Sequence, residues 1–145
     1  MLAIIAMKAE DCIFFQLSKA SQRGARFWAQ KVACLNLTAV QAMVMRFLYE
    51  KDEITSAELG FRTDLDSATL TGILDRLESA GLAERLPNPD DRRAILVHLT
   101  AKGRESGSQV VKFMEEANAE FVRGLSGEEE RTLRSTLKKI RKRAV

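Results

Sequence analysis

The sequence predicts a mainly α-helical protein with a small β wing, and three observations carry that prediction. Apolar residues recur at helical spacing through most of the chain. After Gly81 this gives way to short alternating segments around a turn with two prolines. Immediately before that change stand two short amphipathic helices with only a few residues between them, which is the helix-turn-helix arrangement.

Each element has its own signal. From about Asp11 to Val32, Ile13, Leu17, Ala20, Gly24, Phe27 and Trp28 share one helical face, and no proline breaks the run. Thr38 caps a second helix, ending near Lys51, whose Val40, Met43, Val44, Phe47 and Leu48 follow the same pattern. Thr55 and Glu58 have the spacing of a capping box for a short third helix. Asp66 caps a fourth, with Leu70, Ile73, Leu74 and Leu77 as its apolar stripe and Gly81 where a left-handed residue costs least. Leu82 to Leu86 and Ala94 to Leu99 flank the polar turn Pro87 to Arg93, so a hairpin follows the helix-turn-helix as a wing. Thr100 caps a fifth helix with Val110, Phe113, Met114, Ala117 and Phe121 inward. Ser126 and Glu129 box a last helix carrying Leu133, Leu137 and Ile140.

At 145 residues the chain suits one compact domain or a pair of short lobes and excludes two large domains. The apolar run Met1 to Met7 is far short of the roughly 20 residues of a membrane span, and it lacks a basic start and a small-residue cleavage site. A soluble, unprocessed, cytoplasmic protein is expected. Two cysteines, Cys12 and Cys34, with one histidine offer neither a disulfide framework nor repeated metal-ligand spacing. No cofactor is expected. His98, the only imidazole, stands on the face of its strand opposite Ile95 and Val97, so no nucleophile has a base and no enzyme is expected.

The net charge of +3 invites a nucleic-acid reading, and its location qualifies the invitation. The last fifteen residues hold seven of the 23 cations and no acid, which leaves Met1 to Glu130 with 16 cations against 20 acids. From Arg62 to Arg104 seven cations balance seven acids. A basic last helix reads as a solvated face or a helix-end counter-charge.

A nucleic-acid partner is better argued from the fourth helix and the wing. Ala68, Thr71, Gly72 and Asp75 lie opposite the apolar stripe, with Ser67, Thr69 and Arg76 on its flanks. Small and hydroxylated residues suit a helix lying in a major groove, where methyls meet thymine and glycine permits close approach. The helix start offers amides to a phosphate. Arg92 and Arg93 stand at the hairpin tip, where guanidinium groups can enter a minor groove. Asp91 can pair with Arg93 and stiffen the tip, and this is compatible with groove entry because an aspartate orients an arginine without removing its charge. Ordinary solvated surface, or a winged-helix protein-interaction module without DNA binding, is the competing account.

Leu59 to Gly103 resembles the winged-helix core of MarR-type transcription regulators. Their D-x-R wing, apolar strand, L-T and glycine read here as Asp91-Arg92-Arg93, Ala94 to His98, Leu99-Thr100 and Gly103, and Asp66 to Leu82 resembles their recognition helix. The resemblance implies a homodimer, most simply a repressor, on a near-palindromic operator in double-stranded DNA. Residues 1–36 would then be an N-terminal dimerisation helix, 37–100 the DNA-binding core and 101–145 the C-terminal dimerisation helices. Relatives that release DNA on binding a small aromatic or anionic effector suggest a cleft with Trp28, Phe27 and Phe47, and Arg26, Arg23 or Lys31 for a carboxylate. Resemblance to hydroperoxide sensors raises Cys12 as a redox site. In that alignment Phe14 takes the sensing position, and Tyr49 is the only tyrosine.

Overall fold

The structure, a computed structural model, describes residues 6–142. Most of the apolar run Met1 to Met7, and Arg143 of the basic terminus, lie outside them. Six helices and three strands follow in order: α1 (Ile13–Val32), α2 (Ala39–Glu50), β1 (Ile54–Thr55), α3 (Ser56–Thr63), α4 (Ser67–Ser79), β2 (Ala83–Pro87), β3 (Ile95–Leu99), α5 (Ala101–Phe121) and α6 (Gly127–Lys142). The architecture is mainly helical with a small three-stranded sheet, as the sequence predicts.

The helix starts follow the capping residues. Thr38 and Gln41 exchange side-chain and backbone hydrogen bonds in a complete capping box, and Ser126 and Glu129 do the same for α6. Thr55 makes only half of the expected box. Its hydroxyl accepts the Glu58 amide, but the Glu58 carboxylate takes the Lys51 ammonium at 2.6 Å instead of reaching back, because a full charge is the stronger partner.

β1 is a third strand that alternation could not reveal, being two residues long. It pairs antiparallel with β3, Ile54 opposite Val97, while β2 pairs with the other edge of β3 from Ala83 opposite Leu99 to Pro87 opposite Ile95. Val97 and Leu99 point into the core, with Ile54, Leu59, Leu70, Leu74, Leu77 and Leu82 around them. On α2 the buried face is Ala42, Val44, Met45 and Leu48, whereas Val40 and Met43 are exposed beside clefts rather than inward as expected.

Thr100 joins α4 to α5. Its hydroxyl donates to the Gly81 carbonyl at 2.6 Å and accepts the Gly103 amide at 3.0 Å. Gly81 has φ of +72°, the left-handed turn that a glycine allows. A Cβ on Gly103 would lie 1.9 Å from the Leu82 carbonyl oxygen, so only glycine lets α5 start against β2.

The helical arms are less enclosed. Val110 and Ala117 of α5 are buried, but Phe113 and Met114 are half-buried and Phe121 is exposed. Ile13, Phe14 and Phe15 of α1 and Leu133, Leu137 and Ile140 of α6 are exposed too. Among the described residues, no single helix is long and apolar enough to cross a membrane.

Candidate nucleic-acid interface

α4 presents one continuous polar surface of small residues. Leu70, Leu74 and Leu77 are buried, while Ser67, Ala68, Thr69, Thr71, Gly72 and Arg76 are exposed. A Cβ on Gly72 would meet nothing within 4 Å, and the residue sits mid-helix without a positive φ. The fold therefore gives no reason for a residue that weakens a helix by about 0.5–1 kcal/mol relative to alanine.

The hydroxyls on this surface are already oriented. Thr71 Oγ1 donates to the Ser67 carbonyl at 2.8 Å, and Thr69 Oγ1 donates to Asp66 at 2.7 Å. With their protons used internally, both oxygens keep lone pairs for a base amino group and both residues keep methyls for thymine.

The helix start differs from expectation. Asp66 accepts the Thr69 amide at 2.8 Å, and the bonds from the Thr69 backbone and hydroxyl hold its carboxyl below the usual aspartate range. An anion thus occupies the place where the sequence suggested free amides for a phosphate. Because that pKa is lowered on folding, the cap's contribution is complete above the ordinary aspartate value of about 4 and is lost as pH falls through the lowered one.

At the other end, Arg85 of β2 bonds Asp75 and also Glu78, whose oxygen lies 2.6 Å away. The Arg85 bond holds the Glu78 carboxyl below its ordinary value, and the two acids raise the guanidinium above its own. Two carboxylates on the flank of α4 are thereby matched by one cation. Arg76 has no ion-pair partner among the described residues.

The wing tip is held by its backbone. Asn88 Oδ1 accepts the Asp90 amide at 3.0 Å, and Asp91 Oδ1 accepts the Arg93 amide at 3.0 Å. The Asp91 carboxylate therefore braces the turn through the main chain; the expected Asp91–Arg93 side-chain pair does not form. Arg92 and Arg93 are exposed and without an ion-pair partner among the described residues. Sequence reasoning missed Asp52, which accepts the Leu99 amide at 3.0 Å, pairs with Arg104 and so ties β3 to α5.

His98 lies on the face opposite Val97 and Leu99, with Nε2 3.1 Å from the Glu84 carboxylate. That pair fails hydrogen-bond geometry, leaving Nε2 without a partner.

A cleft of about 520 Å³ opens between α1, α2 and α5, lined by Phe27, Trp28, Met43, Met114, Asn118 and Phe121 among others. Its volume is in the range of small-molecule sites. The Trp28 indole is fixed by donating to the Ala39 carbonyl at 3.0 Å, and Phe27 leans on Phe121 with ring centroids 5.4 Å apart. Only part of the expected ligand set meets here. Phe47 packs beneath the Arg62 guanidinium instead, and Arg26 and Arg23 line a separate depression on α1. Lys31 is paired with Glu120 at 2.7 Å. Among the described residues no cation lines the cleft; Arg134 of α6 donates to Oδ1 of the lining residue Asn118 at 3.3 Å and pairs with Glu130, but borders a different depression. A contact between residues on two different helices leaves no local trace in sequence.

Cys12 stands half-buried at the start of α1, and Cys34 is exposed with its thiol toward the Lys31 carbonyl. Tyr49 packs instead on α5, where a Cβ on Gly107 would touch its ring at 2.7 Å.

Known proteins share this geometry and sequence. Residues 37–95 match the profile described as the MarR family. The multiple antibiotic resistance protein MarR of Escherichia coli is 34% identical over 121 residues, which are 83% of this chain and 84% of that protein. The crystal structure of a cysteine-to-serine mutant of the Escherichia coli protein, complexed with operator DNA, aligns with a TM-score of 0.83 at 31% identity, covering 93% of this chain and 99% of that one. A structure of Bordetella bronchiseptica BpsR, whose DNA binding is regulated by 6-hydroxynicotinic acid, aligns with a TM-score of 0.89 at 27% identity over 96% and 99% of the two chains.

Proposed function

The chain belongs to the MarR family of winged helix-turn-helix transcription regulators and is a sequence-specific DNA-binding protein rather than an enzyme; from that premise we propose that it works as a homodimeric repressor released from its operator by a small aromatic anion. The observation that carries the DNA contacts is where free charge and open backbone coincide. In the winged core Arg46, Arg62 and Arg85 are bound to acids, as is Arg104 at the start of α5, whereas Arg76, Arg92 and Arg93 have no such partner among the described residues. α4, which bears Arg76, also carries Gly72, a glycine that the fold does not require. Ser67, Ala68, Thr69, Thr71, Gly72 and Arg76 face the major groove; Arg92 and Arg93 enter the adjacent minor groove from a tip braced by Asp91.

Exposed apolar residues support the dimer. Phe14 is 79% exposed, and it shares the arms with Ile13, Phe15, Leu133, Leu137 and Ile140, all uncovered in one copy. A second copy covers them and sets two α4 helices roughly 34 Å apart, one turn of DNA.

The effector reading rests on the cleft. Aromatic walls from Trp28, Phe27 and Phe121 suit a flat ring, and Arg134, one residue behind the lining through its bond to Asn118, is the cation proposed for a carboxylate. The regulation of BpsR by an aromatic acid supports this class of ligand. Trp28 is the sole tryptophan and reports on the cleft directly. A duplex selected by the protein from a random-sequence pool is titrated with and without 6-hydroxynicotinate and benzoate. The expected result is quenching of Trp28 and at least about tenfold weaker operator binding. Unchanged fluorescence and affinity with both acids overturn the effector, and tight binding of one subunit to a single half-site overturns the dimer.

A further inference from the structure

α6 has two opposite faces with different fates. Leu133, Leu137 and Ile140 form its apolar side. Arg131, Arg134, Ser135, Lys138, Lys139 and Lys142 border a shallow depression on the other side. Arg134 is paired with Glu130, but Arg131, Lys138, Lys139 and Lys142 have no carboxylate partner among the described residues. This is the densest free positive charge in the described chain, on a helix whose apolar side points the other way.

Its position matters as much as its charge. Arg141 Nε lies 3.7 Å from Asp64 Oδ2. Asp64 ends α3 and stands three residues before Ser67, so the basic end of α6 is beside the entry to α4. That entry is otherwise acidic, since Asp64 and Asp66 flank it and the Asp66 carboxylate occupies the helix start. Arg141 answers Asp64, and the neighbouring lysines remain in surplus.

We propose that the basic face of α6, through Lys138, Lys139 and Lys142, binds phosphates of the duplex flanking the segment read by α4. The proposal rests on the DNA-binding reading above and adds a second, sequence-independent contact surface. Duplex DNA is the occupant that fits, because a row of ammonium groups without partners complements a regular line of phosphates and continues the interface from the α3–α4 turn. It also gives the net-neutral winged core a source of electrostatic affinity.

The test compares the wild type with a Lys138→Gln/Lys139→Gln/Lys142→Gln variant on one selected operator held in a short duplex and in a duplex extended by about one turn at each end. Binding is followed against salt, and sedimentation velocity checks the oligomeric state. Each lost phosphate contact lowers the slope of log affinity against log salt by about 0.9, so the variant's slope on the extended duplex falls by up to about 2.7. On the short duplex the two proteins bind alike. An unchanged slope on the extended duplex overturns the proposal, and so does a variant that has become monomeric, which would assign this face to the second copy. A wild type that binds neither duplex overturns the DNA-binding reading itself. Wild-type binding that is weakened by Arg93→Ala but indifferent to the α6 substitutions overturns only the inference about α6.

Discussion

The winged core and the helical arms obey different rules of closure. In the core, Leu48, Leu59, Leu77 and Val97 are almost fully buried, and Arg46, Arg62 and Arg85 are bound to acids. In the arms, Phe14, Phe15, Leu133 and Ile140 are exposed, and several lysines of α6 have no acid. A core of this kind is complete in one chain. Arms of this kind leave surface for other molecules, on the proposed reading a second copy for the apolar face and DNA for the basic one.

Substitutions that strike one region and spare the other sharpen this contrast. The largest effect is expected at Gly103, where an alanine Cβ would collide with the Leu82 carbonyl. Gly103→Ala should cost about 3 kcal/mol or more in urea unfolding, at the upper end of over-packing penalties, because the colliding atom is backbone and cannot rotate away. Next come the arms. Leu137→Asp with Ile140→Asp should convert dimer to monomer in sedimentation velocity, with dimer affinity falling on the order of a hundredfold, while circular dichroism of the winged core is retained. A dimer that survives both charges would break the division between a closed core and open arms. The smallest effect separates stability from function inside the core itself. Gly72→Ala should stabilise the fold by about 0.5–1 kcal/mol and weaken operator binding, since the added methyl meets open space in the protein and occupies the closest approach to DNA.

The contrast also explains what could be read from sequence. Caps at Thr38, Asp66, Thr100 and Ser126 were legible because each places its partner at a fixed spacing of three residues. The buried stripe of α4 was legible from its period, and its outer face followed by subtraction. β1 was not, since two residues carry no alternation, and Glu53 before it adopts a positive φ that its residue type does not announce. Glu58 fits the spacing of a capping box, and only the fold brings Lys51 close enough to draw its carboxylate away. At the cleft, aromatic residues on α1 were visible by type, but the cation was assigned to the same helix. Arg23, Arg26 and Lys31 of that helix do not line it, and Arg134 of α6 touches only the lining residue Asn118, a meeting that nothing local marks. Phe47 has the right chemistry and lies under Arg62 instead.

The central claim is that the chain reads DNA through α4 and a wing tip whose arginines are free of internal partners. A fluorescence anisotropy titration of the selected operator duplex, comparing the wild type with Arg92→Ala/Arg93→Ala at one fixed salt concentration, tests it most directly. The account predicts affinity lower by at least about tenfold, from the loss of charged contacts in the minor groove, with an unchanged melting temperature, because neither side chain bonds to the protein. Equal affinities for the two proteins would contradict it.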